Sequence, residues 1–211
     1  MADRLDEAGF AREVSRLARC APEFRTVVRR HGVPAFWRRS EGIETLVRII
    51  LEQQVSLSAA ATLYRRIRRE LGGITAGRLV AAGPERLHDL GMTRQKARYC
   101  HALGEAVKSG QLSFPALRRS SDEEAIARLT ALPGIGPWTA GAYVMAAMRR
   151  RDVWPPGDLA LERAIARLLP EADPAELART GERWRPRRAV AARLLWHYYR
   201  AEVVPSGRTV P

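Results

Sequence analysis

The chain has 211 residues, 46% of them hydrophobic, so it is long enough to bury the core of one large domain or two small lobes. No apolar run approaches the length needed to span a bilayer, and the first residues lack the basic and then apolar pattern of a secretory signal. Lysine and arginine total 36 against 23 acidic residues, and the net charge of +13 favours a polyanionic partner: DNA, RNA or an acidic membrane surface.

Apolar residues recur at helical spacing along almost the whole chain, beginning with a stripe over 43–51. The predicted helix starts, in chain order, are Ser56, Thr93, Ser121 with its capping-box partner Glu124, Pro137 in a first turn, Asp158 and Asp173. The helix from Pro137 is expected to end near Arg150, and a last long helix covers 187–200. These patterns predict an all-α protein with short loops.

The cysteines, Cys20 and Cys100, lie far apart, and the four histidines are scattered. We therefore expect two free thiols packed in the interior and no His/Cys metal site. A four-cysteine iron–sulfur cluster is excluded because the chain has only two cysteines.

The stretch "ALPGIGPWTAGAY" (131–143) contains a pair of glycines, Gly134 and Gly136, between two helices. A dinucleotide-binding fingerprint would need a preceding strand and a third glycine at the right spacing, and this stretch has neither. A P-loop would need Gly-Lys-Ser/Thr, which is also absent from it. Two interpretations remain. The turn either connects two helices without a ligand, or it exposes amides at the start of a helix and binds a DNA phosphate.

A second motif, "DVWPPGDLALERAI" (152–165), places Asp158 behind two prolines and a glycine. Aspartate is a favoured helix N-cap, so capping alone explains this residue. Its position twenty residues beyond Trp138 gives the combination of hairpin and aspartate its interest.

Together, "LTALPGIGPWTAGAY" and "DVWPPGDLALERA" resemble the helix-hairpin-helix DNA glycosylase superfamily, in its 3-methyladenine DNA glycosylase II branch. "VRIILEQQVSLSAA" (47–60) and "LGMTRQKARY" (90–99) are similar to the same branch, so the resemblance covers about 43–200. It implies a core-only form over 1–211, with two helical lobes and an active cleft between them. Lobe one would be about 44–149, with the hairpin at 130–139; lobe two would be 1–43 and 150–205, followed by a loose tail at 206–211.

The resemblance implies base excision repair: hydrolysis of the bond between an alkylated purine and its deoxyribose, after the nucleotide is flipped out of the duplex. Asp158 matches the catalytic aspartate, which stabilises positive charge on the sugar. Relatives that also cut the strand carry a lysine where this chain has Trp138, and an indole cannot form a Schiff base. We therefore expect no strand-cutting activity.

Further roles follow from the resemblance. Trp138, Trp196 and Tyr143 would line the base pocket, where aromatic rings attract a cationic purine; core packing is the alternative for Trp196 and Tyr143. Gln54 would fill the gap left by the flipped nucleotide, or else be an exposed loop amide. The expected phosphate contacts are Gly134, Gly136, Thr139, Thr93 and Lys96. A hairpin-bound Na⁺ or K⁺ would use the backbone carbonyls of Thr130, Leu132 and Ile135, and no other cofactor is expected.

Two rival functions stay open, and a third is disfavoured. The lesion could be uracil, hypoxanthine or an oxidised base, because pocket shape decides lesion choice. A non-catalytic helix-hairpin-helix module would bind DNA for a partner, without base release. A membrane-surface protein is disfavoured because the basic residues interleave with core stripes. The predicted partner is double-stranded DNA with a damaged base, bound by a monomer in the cytoplasm, at the nucleoid.

Overall fold

The computed structural model describes residues 4–37, 39–177 and 179–203. Eleven α-helices lie in this part of the chain: α1 (Glu7–Cys20), α2 (Pro22–His31), α3 (Ile43–Glu52), α4 (Leu57–Glu70), α5 (Ala76–Asp89), α6 (Arg94–Lys108), α7 (Phe114–Arg119), α8 (Asp122–Thr130), α9 (Pro137–Ala146), α10 (Leu159–Leu168) and α11 (Arg188–Tyr198). Within the same ranges, extended backbone pairs only in one antiparallel bridge, between Arg4 and Arg150. The all-α prediction is confirmed.

The described residues divide into two compact units. One contains Arg39–Tyr143, and the other contains the residues up to 37 and those from Val144 onward. The boundary between Tyr143 and Val144 falls within α9. The predicted lobe boundaries were near 44 and 149. The predicted tail at 206–211 lies outside the described residues. Of the helices described, none combines the length and apolar character needed to cross a membrane.

In the unit Arg39–Tyr143, the apolar stripe of α3 forms the centre of the core. Leu46, Val47, Ile50 and Leu51 are fully buried, and α3 packs against both α4 and α6. Helices α5 and α6 pack along each other, and α7 packs against α8. The end of α3 is thereby held beside α6, where two of the predicted site residues lie.

In the other unit, α11 is the central helix. Seven of its side chains are buried, and it packs against α1, α2 and α10. Aromatic rings complete this core: Trp184 packs against Phe24, with ring centroids 5.1 Å apart, and against Trp154 at 5.8 Å. The indole of Trp184 donates to Glu23 at 3.0 Å. Trp154 and Trp184 thus serve packing.

The predicted caps of α4 and α8 are confirmed. The Ser56 hydroxyl accepts the amide of Ala59 at 3.2 Å. Ser121 and Glu124 form the reciprocal capping box, with bonds of 3.1 and 3.0 Å. Capping depends on residues three positions apart, so a short stretch of sequence is enough to predict it.

Three expectations were wrong. Helix α9 ends at Ala146 and not near Arg150, because Arg149 takes a left-handed backbone (φ 60°) and its carbonyl accepts the amide of Leu5 at 2.9 Å. Asp173 caps only the 3₁₀ turn Pro174–Glu176, and the chain turns again at Thr180–Trp184. Cys20 is exposed in the last turn of α1, whereas Cys100 is buried as expected.

Candidate active site and DNA-binding hairpin

Asp158 is the N-cap of α10, as predicted. The preceding Gly157 has a positive φ of 69°, which turns the chain after the two prolines. One carboxylate oxygen, Oδ1, accepts the amide of Leu161 at 2.9 Å. Only 9% of the residue's surface is exposed. The carboxylate is therefore held in a fixed orientation at the N-terminus of α10.

Trp196 reaches the same carboxylate from α11. Its indole Nε1–H donates to Oδ1 of Asp158 at 3.3 Å, so two donors converge on one oxygen. The structure brings together two predicted site residues that lie 38 positions apart. This bond was not predicted, and it gives Trp196 a contact beyond the packing alternative. Whether its ring also lines a base pocket stays a prediction.

Leu159, the residue after the aspartate, is an apolar side chain that sequence analysis missed. It is 65% exposed, whereas Leu161, Ala164 and Ile165 form the buried stripe of α10. The signal was available, because Leu159 falls off that stripe. An exposed leucine beside a fixed carboxylate supplies an apolar contact surface at the start of α10.

The glycine pair forms a tight turn between α8 and α9. Leu132 and Ile135 are buried and anchor it, and the Ile135 amide donates to the Leu132 carbonyl at 3.2 Å. Gly134 has a positive φ of 80°, and a Cβ there would lie 2.2 Å from ring atoms of Tyr99. Gly136 is exposed, with no atom within 4 Å of an added Cβ. Gly134 is therefore required for packing, and Gly136 leaves the outer side of the turn open.

Gln53, to which the sequence assigned no role, supports this turn from the end of α3. Its side-chain amide donates to the Gly134 carbonyl at 3.1 Å and to the Thr139 hydroxyl at 2.9 Å. Thr139 is buried. Its hydroxyl thus has a protein partner, and the predicted phosphate contact of Thr139 stays a prediction.

The predicted contacts on α6 have defined places. Thr93 caps the helix by accepting the amide of Lys96 at 3.2 Å. The Lys96 ammonium donates to the carbonyls of Leu51 and Gln53 at 2.9 and 2.7 Å, and burial lowers its pKa from the usual value. Lys96 therefore holds the end of α3. Phosphate binding by Thr93 and Lys96 stays a prediction.

The remaining predicted residues differ in exposure. Tyr143 is fully buried, accepts the amide of Gly42 at 2.8 Å and has its pKa raised by burial, which favours the packing alternative. Gln54 is exposed, and its backbone has a left-handed conformation with φ 57°. Trp138 is half-buried in the first turn of α9.

The hairpin cation also stays a prediction. Of the three carbonyls expected to bind it, that of Leu132 already accepts the Ile135 amide, while a carbonyl oxygen has a second lone pair available. Thr130 is the last residue of α8, and Leu132 and Ile135 lie in the turn before α9.

Comparison with known proteins points to one family. Residues 47–186 match the model of the HhH-GPD superfamily base excision DNA repair protein. DNA-3-methyladenine glycosylase 2 of Escherichia coli is 32% identical over 168 residues, which is 74% of this chain and 57% of that protein. A putative DNA-3-methyladenine glycosylase of Bacillus subtilis is 30% identical over 162 residues, 72% of this chain and 56% of that protein. The chain thus spans less than two thirds of these relatives.

Solved structures show the same fold. The DNA-3-methyladenine glycosidase of Bacillus halodurans has a TM-score of 0.74 at 28% identity, covering 94% of this chain and 92% of that one. The 3-methyladenine DNA glycosylase of Schizosaccharomyces pombe, solved in complex with abasic DNA, has a TM-score of 0.79 at 22% identity, covering 92% and 97%.

Proposed function

Since the chain belongs to the HhH-GPD superfamily of base excision DNA repair proteins, we propose that it is a DNA glycosylase that releases alkylated purines of the 3-methyladenine kind from double-stranded DNA. Relatives and a solved structure that bear the name of this activity support the substrate class. The carboxylate of Asp158, fixed by two donors on one oxygen, is the observation that carries the chemistry.

The reaction breaks the bond between C1′ of the sugar and the purine nitrogen. The electron pair leaves with the base, and positive charge develops on the sugar ring. A negative carboxylate beside C1′ stabilises that charge, and because Asp158 is already oriented, no reorganisation is needed as the charge appears. Water then bonds to C1′ and gives its proton to the carboxylate or to solvent.

An alkylated purine is a suitable substrate for such a simple site. It carries a positive charge, so it leaves as a neutral base without a general acid. Its electron-poor ring stacks on aromatic side chains, the role proposed for Trp138 and Trp196. The indole of Trp138 forms no Schiff base with the sugar, so the product is an intact abasic site.

The hairpin supplies the sequence-independent contact with DNA. The open outer side of Gly136 leaves room for a phosphate at the start of α9, where backbone amides and the helix dipole favour an anion. The net charge of +13 adds attraction to any duplex. A monomer located with the chromosome is part of the same proposal.

A panel of lesion-containing duplexes tests the proposal. Wild-type protein and Asp158→Asn are incubated with duplexes that contain 3-methyladenine, 7-methylguanine, ethenoadenine, hypoxanthine, uracil or 8-oxoguanine, and released bases are measured. We expect Asp158-dependent release of the methylated purines. Release of uracil or 8-oxoguanine instead would assign another lesion, and binding without any release would indicate a non-catalytic module.

A further inference from the structure

Gln53 is held at both ends. Its backbone amide donates to Ile50 at 3.3 Å, where it closes α3, and its carbonyl accepts the Lys96 ammonium at 2.7 Å. Its side-chain amide crosses to the hairpin, where the acceptors Gly134 and Thr139 lie 81 and 86 positions further along the chain. Both N–H groups of this amide can be satisfied by these two acceptors.

The hairpin is also supported from α6. The ring of Tyr99 lies against Gly134, and the Tyr99 hydroxyl accepts a hydrogen bond from the side-chain Nε2 of Gln95 at 2.6 Å. Tyr99 follows Lys96 by three positions, so both lie on one face of α6. One turn of α6 therefore supports the hairpin directly and the end of α3 through Lys96.

The next residue, Gln54, is the exposed one with the left-handed backbone. Outside glycine this conformation is strained and persists where the surrounding structure imposes it. The fixed ends of Gln53 impose it from the N-terminal side. On the C-terminal side the capped start of α4 follows within two residues, at Ser56.

We propose that Gln53 is a positioning residue that joins the hairpin and the Gln54 turn into one rigid DNA-binding element. A DNA strand bound at 134–136 then meets Gln54 at a fixed distance from the hairpin. The Gln54 side chain is thus placed to fill the gap in the duplex as the nucleotide flips out. The proposal rests on the proposed function in that the hairpin binds DNA. It assigns different roles to the two adjacent glutamines: Gln53 supports the protein, and Gln54 faces the duplex.

Matched Gln→Met substitutions test this assignment, because methionine keeps the volume of glutamine and removes its hydrogen bonds. The variants are Gln53→Met, Gln54→Met and, as a control, Gln111→Met, which lies exposed after α6. Affinity is measured for an undamaged duplex and for a duplex with a tetrahydrofuran abasic analogue. Hydrogen exchange of the amides at 134–139 and thermal melting are recorded without DNA.

For Gln53→Met we expect faster exchange at 134–139 and about tenfold weaker binding of both duplexes, because the hairpin must be ordered again on binding. Affinity should fall by a larger factor than the single-turnover rate of base release at saturating enzyme. For Gln54→Met the abasic duplex should lose more affinity than the undamaged one. If Gln53→Met melts before it can be measured, Thr139→Val removes one acceptor and should give a smaller effect of the same kind.

Unchanged exchange and unchanged affinity in Gln53→Met, relative to Gln111→Met, would overturn the proposal. The same holds if Gln53→Met affects only the abasic duplex. Failure of the proposed function gives a different pattern, because the wild type would then release no base from any lesion while the binding differences persist.

Discussion

Replacing Asp158 by asparagine separates chemistry from folding at this site. The side chain has two roles: it caps α10 through Leu161, and it carries the charge assigned to catalysis. Asparagine is as good an N-cap as aspartate, and its carbonyl oxygen can accept both the Leu161 amide and the Trp196 indole. Asp158→Asn therefore removes the charge and keeps the local geometry.

The two effects differ in size. Loss of a preorganised charge of this kind lowers the rate by a factor of about 10²–10³, equivalent to about 2.7–4 kcal/mol of transition-state stabilisation. Loss of charge at the helix terminus costs about 0.3–1 kcal/mol of folding free energy. In Asp158→Ala the cap is also lost, which adds about 0.5–2 kcal/mol.

The assay is single-turnover release of 7-methylguanine from a duplex, with enzyme in excess, together with urea unfolding of each variant. Asp6→Asn is the matched control, because Asp6 caps α1 in the same way and accepts the amide of Gly9 at 2.6 Å. We expect Asp6→Asn to keep the wild-type rate. Asp158→Asn should bind the duplex like the wild type and release the base at least a hundredfold more slowly.

Two results would refute this reasoning. Base release by Asp158→Asn within threefold of the wild type would remove the carboxylate from the reaction. A free energy of unfolding as low for Asp158→Asn as for Asp158→Ala would show that the cap geometry depends on the charge, so that the rate could not be attributed to chemistry alone.

Three more predictions follow from the same contacts. Trp196→Phe keeps an aromatic side chain and removes the bond to Asp158, so the single-turnover rate should fall about two- to thirteenfold, matching about 0.5–1.5 kcal/mol for one hydrogen bond; an unchanged rate would show that the bond is dispensable. Gly134→Ala places a Cβ against Tyr99 at a positive φ, so the urea midpoint should fall by the equivalent of about 1–3 kcal/mol; an unchanged midpoint would contradict this packing. We proposed that Trp138 stands where strand-cutting relatives carry a lysine, and this predicts that borohydride traps no covalent enzyme–DNA complex; a trapped band would reverse that assignment.

The local chemistry of this chain could be predicted from its sequence. The caps at Ser56, Thr93, Ser121 and Asp158 each depend on one side chain and an amide three residues later, so a window of four residues contains the whole interaction. The apolar stripe of α3 is local in the same sense, because helical spacing alone defines it.

The supporting contacts could not be predicted, because they join distant positions. Nothing near Gln53 indicates that its amide binds Gly134, and nothing near Trp196 indicates that its indole binds Asp158. The predicted end of α9 was wrong for the same reason. The Leu5 amide donates to the Arg149 carbonyl, which a further helical turn would have used instead. Such pairs appear only when the chain is folded.

The central position of α11 has a practical consequence for anyone who wants to shorten this protein. The family match ends at residue 186, but the indole that contacts Asp158 lies on α11, and α11 rests on α1 and α2, which precede residue 47. A fragment cut to the matched region would lose all three helices and expose the apolar side of α10. Expression boundaries should therefore be chosen from the helices that surround α11.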